Sequence, residues 1–155
     1  MDEQVMAVAL ERELLHRDHE SSRPLSHNYE YIGLLGEANF ARKIGQEPDF
    51  RKRPGGDHGI DGTLRLRFTY DVKTARIPNH LIQEVGTKNW ADIYILAGYL
   101  EEEDTTYEIG WEWGVKLQAA PYKDFGYGII NHYIHASQLR QMSELYDRLS
   151  IGVDT

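Results

Sequence analysis

The stretch "GIDGTLRLRFTYDVKT", Gly59 to Thr74, decides how the chain is read. Leu64, Leu66, Phe68, Tyr70 and Val72 alternate with Thr63, Arg65, Arg67, Thr69, Asp71 and Lys73. A period of two is the mark of a strand, because successive side chains leave its opposite faces. It places Asp71 and Lys73 on one face and the apolar set on the other. The run is too long for one ordinary strand, so it reads as two, with a turn near Leu66 or Arg67. No Gly, Pro or Asn marks that turn. A tight antiparallel hairpin brings Asp61, at the head of the first strand, opposite Asp71 on the second.

Outward from this hairpin the chain alternates helical and strand patterns. Asp2 to Arg17 spaces Val5, Ala9, Leu10 and Leu14 as an amphipathic helix. Pro24 and a polar cluster follow, and a second helix runs from a cap at about Asn28 to Ile44, with Gly45 as its stop. A Gly- and Pro-rich connection then leads to the hairpin, with room for one short strand near Phe50. Beyond Pro78 and Asn79, about His80 to Lys88 reads as a short helix. "ADIYILAGYL" is a buried strand by its unbroken apolar run. "TYEIGWEWGVKL" alternates Tyr107, Ile109, Trp111, Trp113 and Val115 against polar or Gly positions, and "GIINHYIH" is a further short strand. Ser137 to Leu149 closes the chain as a helix facing Leu139, Met142, Leu145, Tyr146 and Leu149 inward. The expected fold is α/β or α+β, a sheet flanked by helices.

The 155 residues suit one domain spanning residues 1–155. Its core would cover about 28–100, with the helix at 2–17 and the elements of 105–150 as elaborations. The composition, 41% hydrophobic and 27% charged, is that of a soluble globular protein. No apolar run is long enough to cross a bilayer, and the charged start does not resemble a signal peptide. The chain has no cysteine, which rules out disulfides and thiolate metal sites and fits a cytoplasmic setting. A net charge of -8 argues against a generic nucleic-acid coat but not against an enzyme acting on nucleic acid. The basic residues gather in "FRKRP" and at Arg65, Arg67, Lys73 and Arg76, whereas "LEEEDTT" holds much of the acid.

Two carboxylates meeting at a sheet surface repel unless a hard cation reconciles them. Mg²⁺ is typically held by one or two carboxylates together with water and substrate phosphate. Asp61 and Asp71 form such a pair. Lys73, about 7 Å along the same face, is placed to orient or deprotonate a water, its pKa lowered by burial or by the metal. A third acid comes from the second helix, where Gly33, Glu37, Phe40, Ala41 and Ile44 share one stripe. Glu37 on that apolar stripe needs a partner or a cation.

"GEANFARKIG", "DHGIDGTL" and "TYDVKT" together resemble the PD-(D/E)XK phosphodiesterase superfamily, whose fold is restriction-endonuclease-like: a central mixed sheet flanked by helices. The resemblance covers roughly Asn28 to Leu100, and Ile60 stands where the first motif carries proline. It implies a Mg²⁺-dependent nuclease, with Mn²⁺ as a substitute, hydrolysing phosphodiester bonds in nucleic acid, DNA being the first expectation. Glu37, Asp61 and Asp71 would be the acidic metal-site residues, the Val72 main-chain carbonyl a further ligand and Lys73 the catalytic lysine. Arg65, Arg67 or Arg76 would contact the nucleic-acid backbone. The small size suggests a homodimer or a subunit of a larger assembly.

Other residues carry less. Asp57 and His58 fit turn chemistry as well as a ligand role. His132 and His135 point to opposite faces of one strand. Trp111 and Trp113 suit core packing or base stacking. Gln83 or Glu84 is placed to hold a water or a phosphate. "GLLGEANFARKIG" has spaced glycines but no preceding strand, so a dinucleotide loop is not supported. Two further readings stay open: a non-catalytic nucleic-acid-binding or assembly module on the same fold, and a metal-stabilised domain acting on another phosphate ester.

Overall fold

The apolar run of the sequence becomes the spine of the molecule. Strand β4, Ile93–Leu100, keeps every side chain from Ile93 to Ala97 at no more than 1% exposure, because protein covers both faces of the sheet there. The computed structural model describes residues 2–16, 29–48, 60–64 and 67–149. The main sheet has the order β1-β2-β4-β5, with β1 at Gly62–Leu64, β2 at Phe68–Ala75 and β5 at Thr105–Trp113. Strands β2 and β4 run parallel and the other pairs antiparallel, so the sheet is mixed. A second, antiparallel sheet has the order β3-β7-β6, from His80–Glu84, Ile130–His135 and Tyr122–Asp124. With helices α1 (Glu3–His16), α2 (Tyr29–Lys43), α3 (Gly114–Gln118) and α4 (Met142–Leu149), the fold is mixed α+β.

The hairpin forms as its alternation predicts. Gly62 pairs with Tyr70 and Leu64 with Phe68, and Arg67 N–H donates to the Leu64 carbonyl at 3.0 Å across the turn. Three other expectations need correction. Residues 80–84 form a strand rather than the start of a helix. Leu81 is fully buried, and β3 pairs in register with β7, Leu81 opposite Ile134 and Gln83 opposite His132. A helix would forfeit that ladder, and Gly86, at φ 84°, turns the chain away from it. Strand β5 does not alternate throughout. Leu96 pairs with Gly110 and Ala97 with Glu108, leaving Ile109 as the extra residue of a bulge. Ile109 therefore packs with Leu81, Tyr94 and Leu117, while Trp111 joins Tyr70, Val72 and Leu145 on the opposite side. Val115 lies on α3 and is exposed. Finally, the last helix starts at Met142, because Ala136–Gln138 form a separate 3-10 turn that leaves Leu139 outside it.

Helix α1 docks on α2 through Val5 and Ala9, against Tyr31, Leu34, Leu35 and Ala38; Leu10 faces away, 53% exposed. Helix α2 lies in turn on β2, where Phe40 meets Tyr70 edge-on at 5.0 Å. Gly36 permits this closeness, since a Cβ there would collide with the Thr74 hydroxyl. Gly45, at φ 77°, stops α2 as expected. The cap at Asn28 and the short strand near Phe50 lie outside the described residues. No helix among the described residues is long and apolar enough to cross a membrane.

Candidate functional site

Three elements bring the acids together. The β1–β2 register, with Gly62 opposite Tyr70, continues one step to set Asp61 beside Asp71. Asp61 N–H donates to the Tyr70 carbonyl at 2.8 Å, and its Oδ2 accepts the Val72 N–H at 2.6 Å. Asp61 is thus fixed at both its backbone and its carboxyl. Helix α2, held on β2 at Gly36, delivers Glu37 into hydrogen-bonding contact with Asp61, which also contacts the Asp71 carboxyl. Glu37, Asp61 and Asp71 form a chain of touching carboxyls.

Lys73 completes the group. Its Nζ lies 2.8 Å from Asp71 Oδ2, closing over Val72 on the face the two residues share. Asp71 is buried at 3% exposure, whereas the Lys73 side chain is one-third exposed. Although the ion pair is short, its angles fall outside those of a well-aligned hydrogen bond to Asp71 Oδ2.

The electrostatics follow from this crowding. Burial pushes the Asp61 carboxyl well above the usual carboxylate range, and the neighbouring Glu37 charge adds to it; contacts with Asp71 and the Val72 N–H oppose the shift. Burial likewise raises Asp71, helped by Asp61 and resisted by the Lys73 ammonium. For Lys73, burial alone would lower the pKa, the direction expected from the sequence. The Asp71 charge outweighs it, and the lysine is raised. As it stands, Lys73 is an ammonium held by acid rather than a base.

A cleft of about 160 Å³ opens beside this group, lined by Glu37, Ala41, Gln46, Asp61, Thr63 and Tyr70 among others. Gln46 was not singled out by sequence. Its N–H donates to the Ala41 carbonyl at 2.8 Å and its side-chain amide to the Thr63 carbonyl at 2.9 Å, tying the end of α2 to β1. Tyr94 also escaped notice. It pairs with Asp71 in the β2–β4 register, is fully buried, and its hydroxyl accepts the Ala91 N–H at 3.1 Å. Only the proximity of Gln46 to the helix stop at Gly45 could have flagged it; an apolar run gives no sign of Tyr94's neighbour.

Of the basic residues, Arg67 is exposed and lies over the Phe68 ring at 5.0 Å. Arg76 pairs with Glu101 at 2.6 Å on the surface. Arg65, Asp57 and His58 lie outside the described residues. Gln83 and Glu84 sit on β3, where the Gln83 amide donates to Thr87 Oγ1 at 2.7 Å. His132 and His135 point to opposite faces of β7: His132 packs against Trp90, His135 against His80. Trp111 is fully buried in the core.

Among the described residues, no three His, Asp or Glu side chains stand as a ready metal-ligand set. The carboxyls here touch pairwise, Glu37 with Asp61 and Asp61 with Asp71. Comparison of the chain with protein-family profiles, curated proteins and solved structures finds no match.

Proposed function

We propose that the protein is a Mg²⁺-dependent nuclease that hydrolyses phosphodiester bonds in nucleic acid, DNA in the first instance. The observation that carries this reading is the contact chain of Glu37, Asp61 and Asp71, with one lysine to serve it. A sheet that only had to fold would place apolar residues at such positions, because uncompensated buried acids cost stability. The donors suit a hard cation: all are oxygens, and Asp71 Oδ2 is buried without a directed hydrogen bond.

Asp61 and Asp71 would hold the ion, with Glu37 beside them and the Val72 carbonyl as a further oxygen. The ion, when bound, lowers the pKa of a coordinated water and offsets charge on the phosphate. The chain's own residues do the positioning. Val72 N–H fixes Asp61 Oδ2, β2 spaces Asp71 from Lys73, and Gly36 sets Glu37 against the hairpin. Lys73 would orient the attacking water or meet the phosphate with its ammonium. The cleft beside Glu37 and Asp61 opens these two acids to solvent and substrate. Arg67 and Arg76, both exposed, are available to the nucleic-acid backbone.

The test is incubation with single-stranded, duplex and branched DNA and with RNA, in Mg²⁺ or Mn²⁺. Cleavage should fall at least about 100-fold in Lys73→Ala and Asp71→Ala, in proteins that still melt cooperatively. Binding that survives both changes, with no substrate cleaved by any form, would reject the enzyme in favour of a nucleic-acid-binding or assembly module.

A further inference from the structure

Asp71 Oδ2 is an atom on which two cations have a claim. It is buried and stands 2.8 Å from Lys73 Nζ, yet carries no aligned hydrogen bond. If the site takes a divalent ion, as the reading above holds, the same carboxyl must turn to it. Resting on that reading, we propose that Lys73 is a resident counter-ion for Asp71 which the divalent ion displaces, so that metal entry frees the ammonium to face the phosphate.

Three features fit an exchange rather than simple addition. A positive charge beside touching carboxyls relieves their repulsion, and Lys73 is the cation the structure sets against Asp71, at 2.8 Å. Lysine is a compact charge on a flexible four-carbon stem, able to occupy two positions without moving the backbone. Its side chain is one-third exposed while Asp71 is pinned in the sheet at 3% exposure, so the lysine has a way out and the acid does not.

An exchange lowers metal affinity, because each ion that binds must first break the pair. The experiment is isothermal titration calorimetry with Mg²⁺ and Mn²⁺, without nucleic acid, on the full chain and on Lys73→Met, Lys43→Met and Asp71→Asn. Lys43 carries the same charge on α2 and pairs with Glu108 at 3.1 Å, so it controls for a general loss of positive charge. Lys73→Met should bind metal about tenfold more tightly. Lys43→Met should change affinity less than about twofold, its charge being paired with Glu108 rather than with the site's acids. Equal affinity in Lys73→Met and the unaltered chain would overturn the exchange and leave the metal site standing. Asp71→Asn binding as well as the unaltered chain would overturn both. Should Lys73→Met not fold, ¹³C reductive methylation of the unaltered chain decides instead. The Lys73 resonance must move on adding Mg²⁺, and its failure to move while metal binds rejects the exchange.

Discussion

At Arg140 one guanidinium serves two glutamates; at Lys73 one ammonium stands beside a chain of three carboxyls. Arg140 reaches Glu112 Oε1 at 2.9 Å and Glu144 Oε1 at 3.0 Å, and lies over the Trp111 ring at 5.5 Å. Glu112 Oε1 also accepts the Trp113 N–H at 2.9 Å, and backbone bonds join Trp111 to Arg140 in both directions. Every charge there has a directed partner, and the group fastens α4 to the edge of the main sheet. The Glu37–Asp61–Asp71–Lys73 group has an excess of acid, shifted pKa values and a carboxyl oxygen without a directed bond. The Arg140 group meets its acids with directed bonds, whereas Asp71 Oδ2, like Glu108 Oε1 beside Lys43, faces a lysine without one; what sets the Asp71 group apart is its excess of touching acids.

That contrast breaks if the two groups respond alike to substitution. The largest effect belongs to the satisfied one: Arg140→Met strands Glu112, whose side chain is only 11% exposed, and should cost about 2 kcal/mol in urea unfolding. A loss below about 0.5 kcal/mol would place Arg140 among ordinary surface charges.

The unsatisfied group should respond with the opposite sign. Asp61→Asn keeps an acceptor for the Val72 N–H and removes a charge from beside Glu37, so at pH 8 in EDTA it should stabilise the protein by about 1 kcal/mol while abolishing cleavage. The gain depends on pH. A carboxyl whose folded pKa is raised contributes stability that is fully present below its unfolded value, near 3.8 for Asp61, and lost as pH rises through the folded value. The advantage of Asp61→Asn should therefore shrink towards pH 4, as thermal melts of both proteins across that range would reveal. A constant difference would mean that Asp61 does not titrate as its surroundings dictate.

The smallest effect sharpens the scale. Arg76 and Glu101, 2.6 Å apart but 38% and 62% exposed, are screened by water. Arg76→Ala should alter stability by less than about 0.5 kcal/mol. Weaker nucleic-acid binding in the same variant, seen by fluorescence anisotropy, would mark Arg76 as a backbone contact rather than a structural one.

Much of this was legible in the sequence for a local reason. The alternation from Leu64 to Val72 and the apolar run of β4 carry their own burial pattern, so strands and faces could be read directly. The opposition of Asp61 and Asp71 was legible because a tight hairpin leaves almost no freedom of register. Strand β3 was not, because His80–Glu84 owes its conformation to β7, about fifty residues later, and its short run of mixed side chains has no decisive period. The bulge at Ile109 was hidden in a stretch that alternates perfectly on paper. At the site, Gln46 and Tyr94 matter through neighbours on other elements, and no local spacing announces them. The sign of the Lys73 shift was equally inaccessible, since it depends on whether Asp71 or desolvation prevails at one point in space.

The missing methyl at residue 36 has a reach beyond its own contact. Because Gly36 touches Thr74 directly, helix and strand are stacked at a separation set by backbone and hydroxyl, and Glu37 rides on the very next residue. Residue 36 is in effect the shim of the joint: a larger side chain would lift α2 off β2, carrying one carboxyl away from the other two. The gap between the acids, and with it the radius of any ion they could share, is thereby gauged by a residue that bears no side chain at all.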